Sequence, residues 1–181
     1  MASEMIDIHV LTHSGTRAEW LTKCIDSLRG QPVTVHIVEG IEGSVGAGRA
    51  MGFALGSHDF VGYVDSDDFV LEGHYAKCLE KLKNYHAVAP KEIVERLDGS
   101  RAPRLKSMHN GIVYRRADID RLIPAMSAAP YTVDMLTRKT INPLQLDHVG
   151  YVWRLHNSGA HRAITSSISK KERSAWLKIV T

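Results

Sequence analysis

Ile6, Ile8 and Val10 alternate with Asp7 and His9, a period of two that predicts a β-strand ending near Leu11-Thr12. Thr16-Arg-Ala-Glu19 then fits a capping box, in which hydroxyl and carboxylate satisfy each other's backbone donors. The helix it opens places Trp20 or Leu21, Cys24 or Ile25, and Leu28 on one face, and Gly30-Gln31-Pro32 stops it. Val33, Val35 and Ile37 predict a second strand ending at Glu39-Gly40. A Gly-rich loop follows, with Gly43, Gly46 and Gly48, and then a short helix from about Arg49 to Leu55. Phe60 to Val64 is a third, largely apolar strand that runs straight into Asp65-Ser-Asp-Asp68.

This alternation is that of an α/β fold with a mostly parallel central sheet flanked by helices. Further along, a helix from His74 to Lys83 turns Cys78, Leu79 and Leu82 inward, and Ala87-Val-Ala89 predicts another strand. Asp98-Gly99 marks a hairpin tip between Ile93–Leu97 and Arg104-Leu-Lys106. A short strand at Ile112–Tyr114, helices over Ala117–Ile123 and Val133–Ile141, and a late strand at Tyr151–Trp153 complete the pattern. A second capping box, Ser169-Lys-Lys-Glu172, opens a terminal helix over 165–181 with Trp176, Ile179 and Val180 on one side.

The chain has 181 residues, 44% hydrophobic and 24% charged, which excludes a disordered chain and fits one domain over 1–181. Its net charge of +3 conceals a gradient: residues 1–75 hold 4 basic and 11 acidic side chains, the remainder 19 and 9. No apolar run is long enough for a bilayer and no leader pattern opens the chain, so a cytoplasmic protein without membrane contact is expected. Cys24 and Cys78 form no CxxC pair and sit in helical stretches, as two buried thiols in a reducing compartment do. None of the ten histidines has the spacing of a zinc site.

The acidic run changes this picture most. In open α/β sheets ligands gather at the carboxyl ends of the strands, and Asp65, Asp67 and Asp68 lie at such an end. Three carboxylates in four residues repel unless a cation or solvent screens them, so a metal site and a solvated acidic turn are the two readings. Hard oxygen ligands suit Mn²⁺ or Mg²⁺, ions that commonly bridge a diphosphate.

Together with Gly48-Arg-Ala-Met-Gly-Phe-Ala-Leu-Gly56, the stretch Phe60–Asp68 resembles the core of family 2 glycosyltransferases with the GT-A fold. Val10–Arg17 resembles that family's opening strand and helix, Asn110–Arg116 its middle segment, Tyr131–Asp134 its catalytic-base segment and Val149–His156 its late metal-proximal strand. The resemblance covers most of residues 5–160. It implies a GT-A-like single domain, with a nucleotide-sugar donor half over 5–75 and an acceptor and catalytic half over 76–160.

The roles it implies follow residue by residue. Asp67 is the main metal ligand, Asp65 lies on the metal or the donor ribose, Asp68 orients them, and His156 is the second metal candidate. Thr12, Arg17, Glu39 and Arg49 join Asp65 in donor binding, with a UDP-sugar foremost among donors. Glu39 stands where the family usually has Asp, and Val133 replaces the Glu of the usual Glu-Asp pair. Asp134 is the candidate general base of an inverting transferase, with Asp147 as the fallback; a helix cap is the plain alternative for Asp134. The basic residues Arg96, Arg101, Arg104, Lys106, Arg115 and Arg116 are either a solvated face or a clamp for a diphosphate or an anionic acceptor. Compactness and the basic back place a hydroxymethylated base in DNA among the acceptors, beside a saccharide or a protein. A nucleotidyltransferase and a non-catalytic binding module are the competing classes.

Overall fold

The computed structural model describes residues 4–104, 110–129 and 133–156. Lys106, Tyr131, Thr132 and the expected helix over 165–181 lie outside them.

Strand β1 (Ile6–Thr12) is flanked in parallel by β2 (Val33–Glu39) and β3 (Phe60–Asp65). Helix α1 (Ala18–Leu28) makes the first crossover and α2 (Val45–Phe53) the second. Beyond them come β4 (Phe69–Val70), α3 (His74–Leu82), the hairpin β5 (Ala87–Arg96) and β6 (Arg101–Arg104), β7 (Val113–Arg115), the helices α4 (Arg116–Asp120), α5 (Ile123–Ala128) and α6 (Val133–Ile141), and β8 (Leu144–Leu155). The sheet runs β2-β1-β3-β7-β5-β8-β4, with β6 on β5. Parallel pairing holds in the β2-β1-β3 half and between β5 and β8, while β7 is antiparallel to both its neighbours. The chain is thus the expected α/β domain with helices on both faces of its central sheet, but the sheet is mixed rather than mostly parallel, because β4, β6 and β7 pair antiparallel to their neighbours.

Each face carries its own core. Ile6, Ile8, Val10 and Val64 pack with Cys24, Leu28, Cys78 and Leu82 of α1 and α3. Val61, Tyr63 and Tyr114 pack with Phe53, Met126 and Leu136 of α2, α5 and α6. The alternation in β1 therefore does not separate core from solvent: Asp7 and His9 are each 1% exposed, under α2 and its flanking loop. Both cysteines are free and buried, as expected.

Two local expectations are corrected. The Thr16 hydroxyl does not cap α1, because it accepts the His13 N–H at 2.8 Å; α1 starts at Ala18, with Arg17 as its N-cap and no side-chain cap bond. The Gly-rich segment is not a loop. Ser44 caps α2 by accepting the Ala47 N–H, so Gly46 and Gly48 lie inside the helix. The reason is packing, since a Cβ on Gly46 would stand 1.8 Å from the Ala129 carbonyl oxygen, and one on Gly52 2.4 Å from the His9 ring. These glycines let α2 approach α5 and β1 closely, and that approach sets where Arg49 points.

Candidate functional site

The parallel half brings Thr12, Glu39 and Asp65 to one edge. Thr12 pairs with Glu39 across β1 and β2, and Leu11 with Asp65 across β1 and β3. The strands end together there because a parallel register aligns their carboxyl ends, the usual position of a ligand in this architecture. Thr12 spends its hydroxyl on the Val38 carbonyl at 3.2 Å, and the Glu39 side chain faces solvent.

The turn after β3 is held from several directions. The Asp65 N–H donates to the Tyr151 hydroxyl at 3.3 Å, and the Cys24 thiol reaches the Asp65 carbonyl at 3.6 Å. Burial, with the nearby Asp68 and Asp65 charges, raises the Cys24 pKa, which keeps this thiol protonated as a donor. Arg154 Nη1 donates to the Asp67 carbonyl at 2.7 Å. Asp68 turns inward, 1% exposed, and both its oxygens are taken by β8: Tyr151 OH donates to Oδ2 at 2.9 Å and the Arg154 N–H to Oδ1 at 2.7 Å. Burial and the charges of Asp67 and Asp65 raise the Asp68 pKa well above the ordinary carboxylate value.

Ligand atoms of Asp65, Asp67 and Asp68 all lie within 4.8 Å of one another, the one such carboxylate, His or Cys group among the described residues. With Asp68 committed to β8, Asp65 and Asp67 are the two carboxylates of this group that keep part of their surface exposed. His156 completes the corner, with Nε2 2.6 Å from Asp67 Oδ2 and its ring against Trp20 at 4.5 Å between centroids. The Arg17 guanidinium covers Trp20 at 4.3 Å. A small pocket opens here between Thr16, Arg17 and Trp20 on one side and Ser66, Asp67 and His156 on the other.

Arg49 lies in the second turn of α2 rather than at its start, and it is 2% exposed. Its Nη2 bonds Asp65 Oδ1, its Nε faces Asp134 Oδ1 at 3.9 Å, and its guanidinium lies 3.6 Å from the Tyr63 ring centroid. Burial alone would lower the Arg49 pKa, but the Asp65 and Asp134 charges outweigh it and the net shift is upward, so the group stays cationic. Asp134, in the first turn of α6, accepts the Tyr63 hydroxyl at 3.0 Å. The structure thus gathers Asp65, Asp67, Asp134, His156, Arg49 and Arg17 along one edge. Asp147 stands apart: it is 95% exposed in its side chain, pairs with Lys91 at 2.5 Å, and sits nine residues before His156, roughly 30 Å of extended chain.

The arginines expected as a clamp have other work. Arg115 pairs with Phe60 at the start of β3, the end opposite Asp65, and donates to the Leu82, Lys83 and Tyr85 carbonyls. Arg116 donates to three carbonyls, those of Phe53, Leu55 and His58, and to Asp7. Arg101 pairs with Glu95 and Arg104 with the buried Glu92. A diphosphate clamp at Arg115-Arg116 is therefore ruled out by position, and the other two are largely neutralised.

Tyr63, Tyr151 and Arg154 belong to the site although the sequence pattern does not single them out. Their only signal is a polar tip on a side chain in an otherwise apolar strand, a group that usually needs a partner when buried.

Among solved structures, residues 1–349 of S. aureus TarS, a GT-A-type glycosyltransferase, in complex with UDP-GlcNAc superpose with a TM-score of 0.69 at 14% identity, covering 97% of this chain and 65% of that one. The same protein in complex with UDP gives 0.65 at 14% identity over 97% and 64%. A197 from STIV gives 0.53 at 15% identity over 83% and 82%. The chain spans 65% of TarS residues 1–349 and 39% of the longer TarS chain it also resembles. No family model and no curated protein matches the sequence. At these identities the likeness shows a GT-A-like fold, which is the fold expected from the sequence.

Proposed function

We propose that this chain is a metal-dependent, inverting glycosyltransferase that moves a sugar from a nucleotide sugar, a UDP-sugar foremost, to an acceptor hydroxyl. One observation carries the reading. On a GT-A-like fold, the two outward carboxylates Asp65 and Asp67 and the His156 imidazole meet at the carboxyl ends of the parallel strands, one guanidinium away from Asp134.

The donor set suits Mn²⁺ or Mg²⁺, with Asp65, Asp67 and His156 as the residues that would hold it. Bound there, the ion supplies positive charge to a departing nucleoside diphosphate. Thr12 and Glu39 at the ends of β1 and β2 face the nucleoside. Arg17, beside the pocket at the N-terminus of α1, meets its phosphates, where guanidinium and helix dipole both favour an anion. Asp134 takes the proton of the acceptor hydroxyl as that oxygen attacks the anomeric carbon from the face opposite the leaving group. Residues 5–75 serve the donor and 76–160 the acceptor and the base. The paired arginines leave a DNA acceptor without special support, so saccharide, protein and hydroxymethylated DNA acceptors are assayed side by side. No helix among the described residues is long and apolar enough to cross a membrane.

A thermal-shift screen of nucleotide sugars with Mn²⁺ identifies the donor, because a ligand bound only by the native state raises its stability. Product assays with that donor follow. Transfer that survives in Asp67→Ala with EDTA present overturns the proposal.

A further inference from the structure

We infer that Arg49 and Tyr63 are positioning residues that lock Asp134 to Asp65, rather than contacts for the donor; the inference rests on the reading of Asp134 as the base.

Burial excludes a donor role for Arg49. At 2% exposure, its guanidinium is buried with one face on the Tyr63 ring, and it does not line the pocket between Arg17, Trp20, Asp67 and His156. Its Nε and Nη1 are buried with no hydrogen-bond partner among the described residues. The Asp134 carboxylate faces Nε with Oδ1 at 3.9 Å, an ion pair just beyond hydrogen-bond reach. Opposite them, Nη2 bonds Asp65 Oδ1. One cation is thus shared by the carboxylate at the end of β3 and the carboxylate at the start of α6.

Tyr63 supplies the second constraint. It is 1% exposed, two residues before Asp65 on the same strand, and its hydroxyl donates to the same Asp134 Oδ1 at 3.0 Å. A donor fixed by a buried ring leaves that carboxylate few rotamers, and the Arg49 plane stacked on the ring holds the ring in turn. The carboxylate's direction relative to Asp65 is then set by β3 and α2, two packed elements, rather than by the edge of α6. A base misplaced by even 1 Å costs rate without costing donor affinity.

The test uses the intact chain with Mn²⁺ and the UDP-sugar found by the thermal-shift screen. Tyr63→Phe, which keeps the ring and loses the hydroxyl, is expected to lower kcat about tenfold and to leave donor KM and the Mn²⁺ dissociation constant within twofold. Arg49→Lys is expected to lower kcat comparably, because an ammonium cannot stack on Tyr63 and reach both carboxylates. A rise in donor KM at unchanged kcat in either variant, or kinetics unchanged in both, overturns the inference. Urea unfolding of Tyr63→Phe, Asp134→Ala and the double variant forms a cycle independent of activity, and the double variant is expected to match the weaker single one. Additive losses overturn the lock. A coupled cycle in a protein that transfers no sugar sustains the lock and overturns the transferase reading instead.

Discussion

Arg116 Nη2 donates to Asp7 Oδ2 at 2.7 Å and joins two residues 109 positions apart. Asp7 also accepts His36 Nε2 at 2.8 Å and the His58 N–H at 2.7 Å. This carboxylate closes the amino ends of β1 and β2, the loop before β3 and the start of α4 into one unit, at the edge away from the acidic turn.

Arg116→Ala should therefore cost stability and not donor binding. Asp7 keeps His36 and the His58 N–H but loses its one arginine partner, a charged hydrogen bond worth about 1.5–3 kcal/mol. Urea unfolding measures the loss. Donor KM in the folded variant should equal that of the parent, whereas a phosphate clamp would raise it.

The same carboxylate gives a pH dependence. Burial pushes the Asp7 carboxyl up, but hydrogen bonds from His36 and the His58 N–H, with the charges of His58 and Arg116, hold it net below its ordinary value of 3.8. The folded state then releases this proton more readily than the unfolded state. The stability it contributes is complete above about pH 5 and is lost as pH falls through the folded-state value. Urea midpoints of the parent and Asp7→Asn should differ most near neutrality and converge below about pH 4.

Gly46→Ala separates a packing glycine from a phosphate-loop glycine. The new methyl would enter the space of the Ala129 carbonyl, and the forced separation of α2 from α5 should cost about 2–3 kcal/mol. A stable variant with weakened donor binding would contradict this. Gly43, at φ +75° with nothing within 4 Å of the place a methyl would take, is limited by backbone conformation alone.

Tyr151→Phe removes the hydroxyl that serves both Asp65 and Asp68. The expected cost is about 1–2 kcal/mol for a buried carboxylate oxygen left without its donor. Calorimetry with Mn²⁺ alone should also show weaker binding, since the Asp65 backbone and the Asp68 carboxylate, which frame the turn, lose their shared anchor.

The two candidate bases differ sharply in setting. Asp134→Asn should abolish most transfer while Mn²⁺ and UDP still bind. Asp147→Asn, exposed and paired only with Lys91 at the surface, should change stability by less than about 0.5 kcal/mol and leave transfer intact. Equal losses in both variants would remove Asp134 from its role.

Much of this arrangement is legible in the sequence wherever the deciding contacts are local. The apolar run Phe60–Val64 and its acidic sequel reveal strand, turn and site edge together, because strand period and chain order alone place Asp65 at a carboxyl end. The Asp98-Gly99 hairpin is legible for the same reason, with Gly99 at φ +80°. Gly46 and Gly48 mislead because their partners, Ala129 and Leu11, are remote in sequence, and local glycine content reads as a loop. The alternation at Asp7 and His9 conceals a second buried face for the same reason. At the site, the carboxylates and His156 are recognisable as chemistry, but Tyr63 and Tyr151 are not, since a tyrosine in a strand reveals its partner only once the sheet is assembled.

The acidic turn depends on the last described strand for its shape. Asp68 meets Tyr151 and Arg154 across 83 and 86 residues, and Asp67 meets His156 across 89. A growing chain that has left the ribosome only as far as α6 already carries every carboxylate of the turn, yet lacks the strand that aims them. Under the proposed function, cation binding is thereby tied to synthesis of the chain through His156, and fragments that stop short of it should bind Mn²⁺ no better than an unstructured peptide of the same charge.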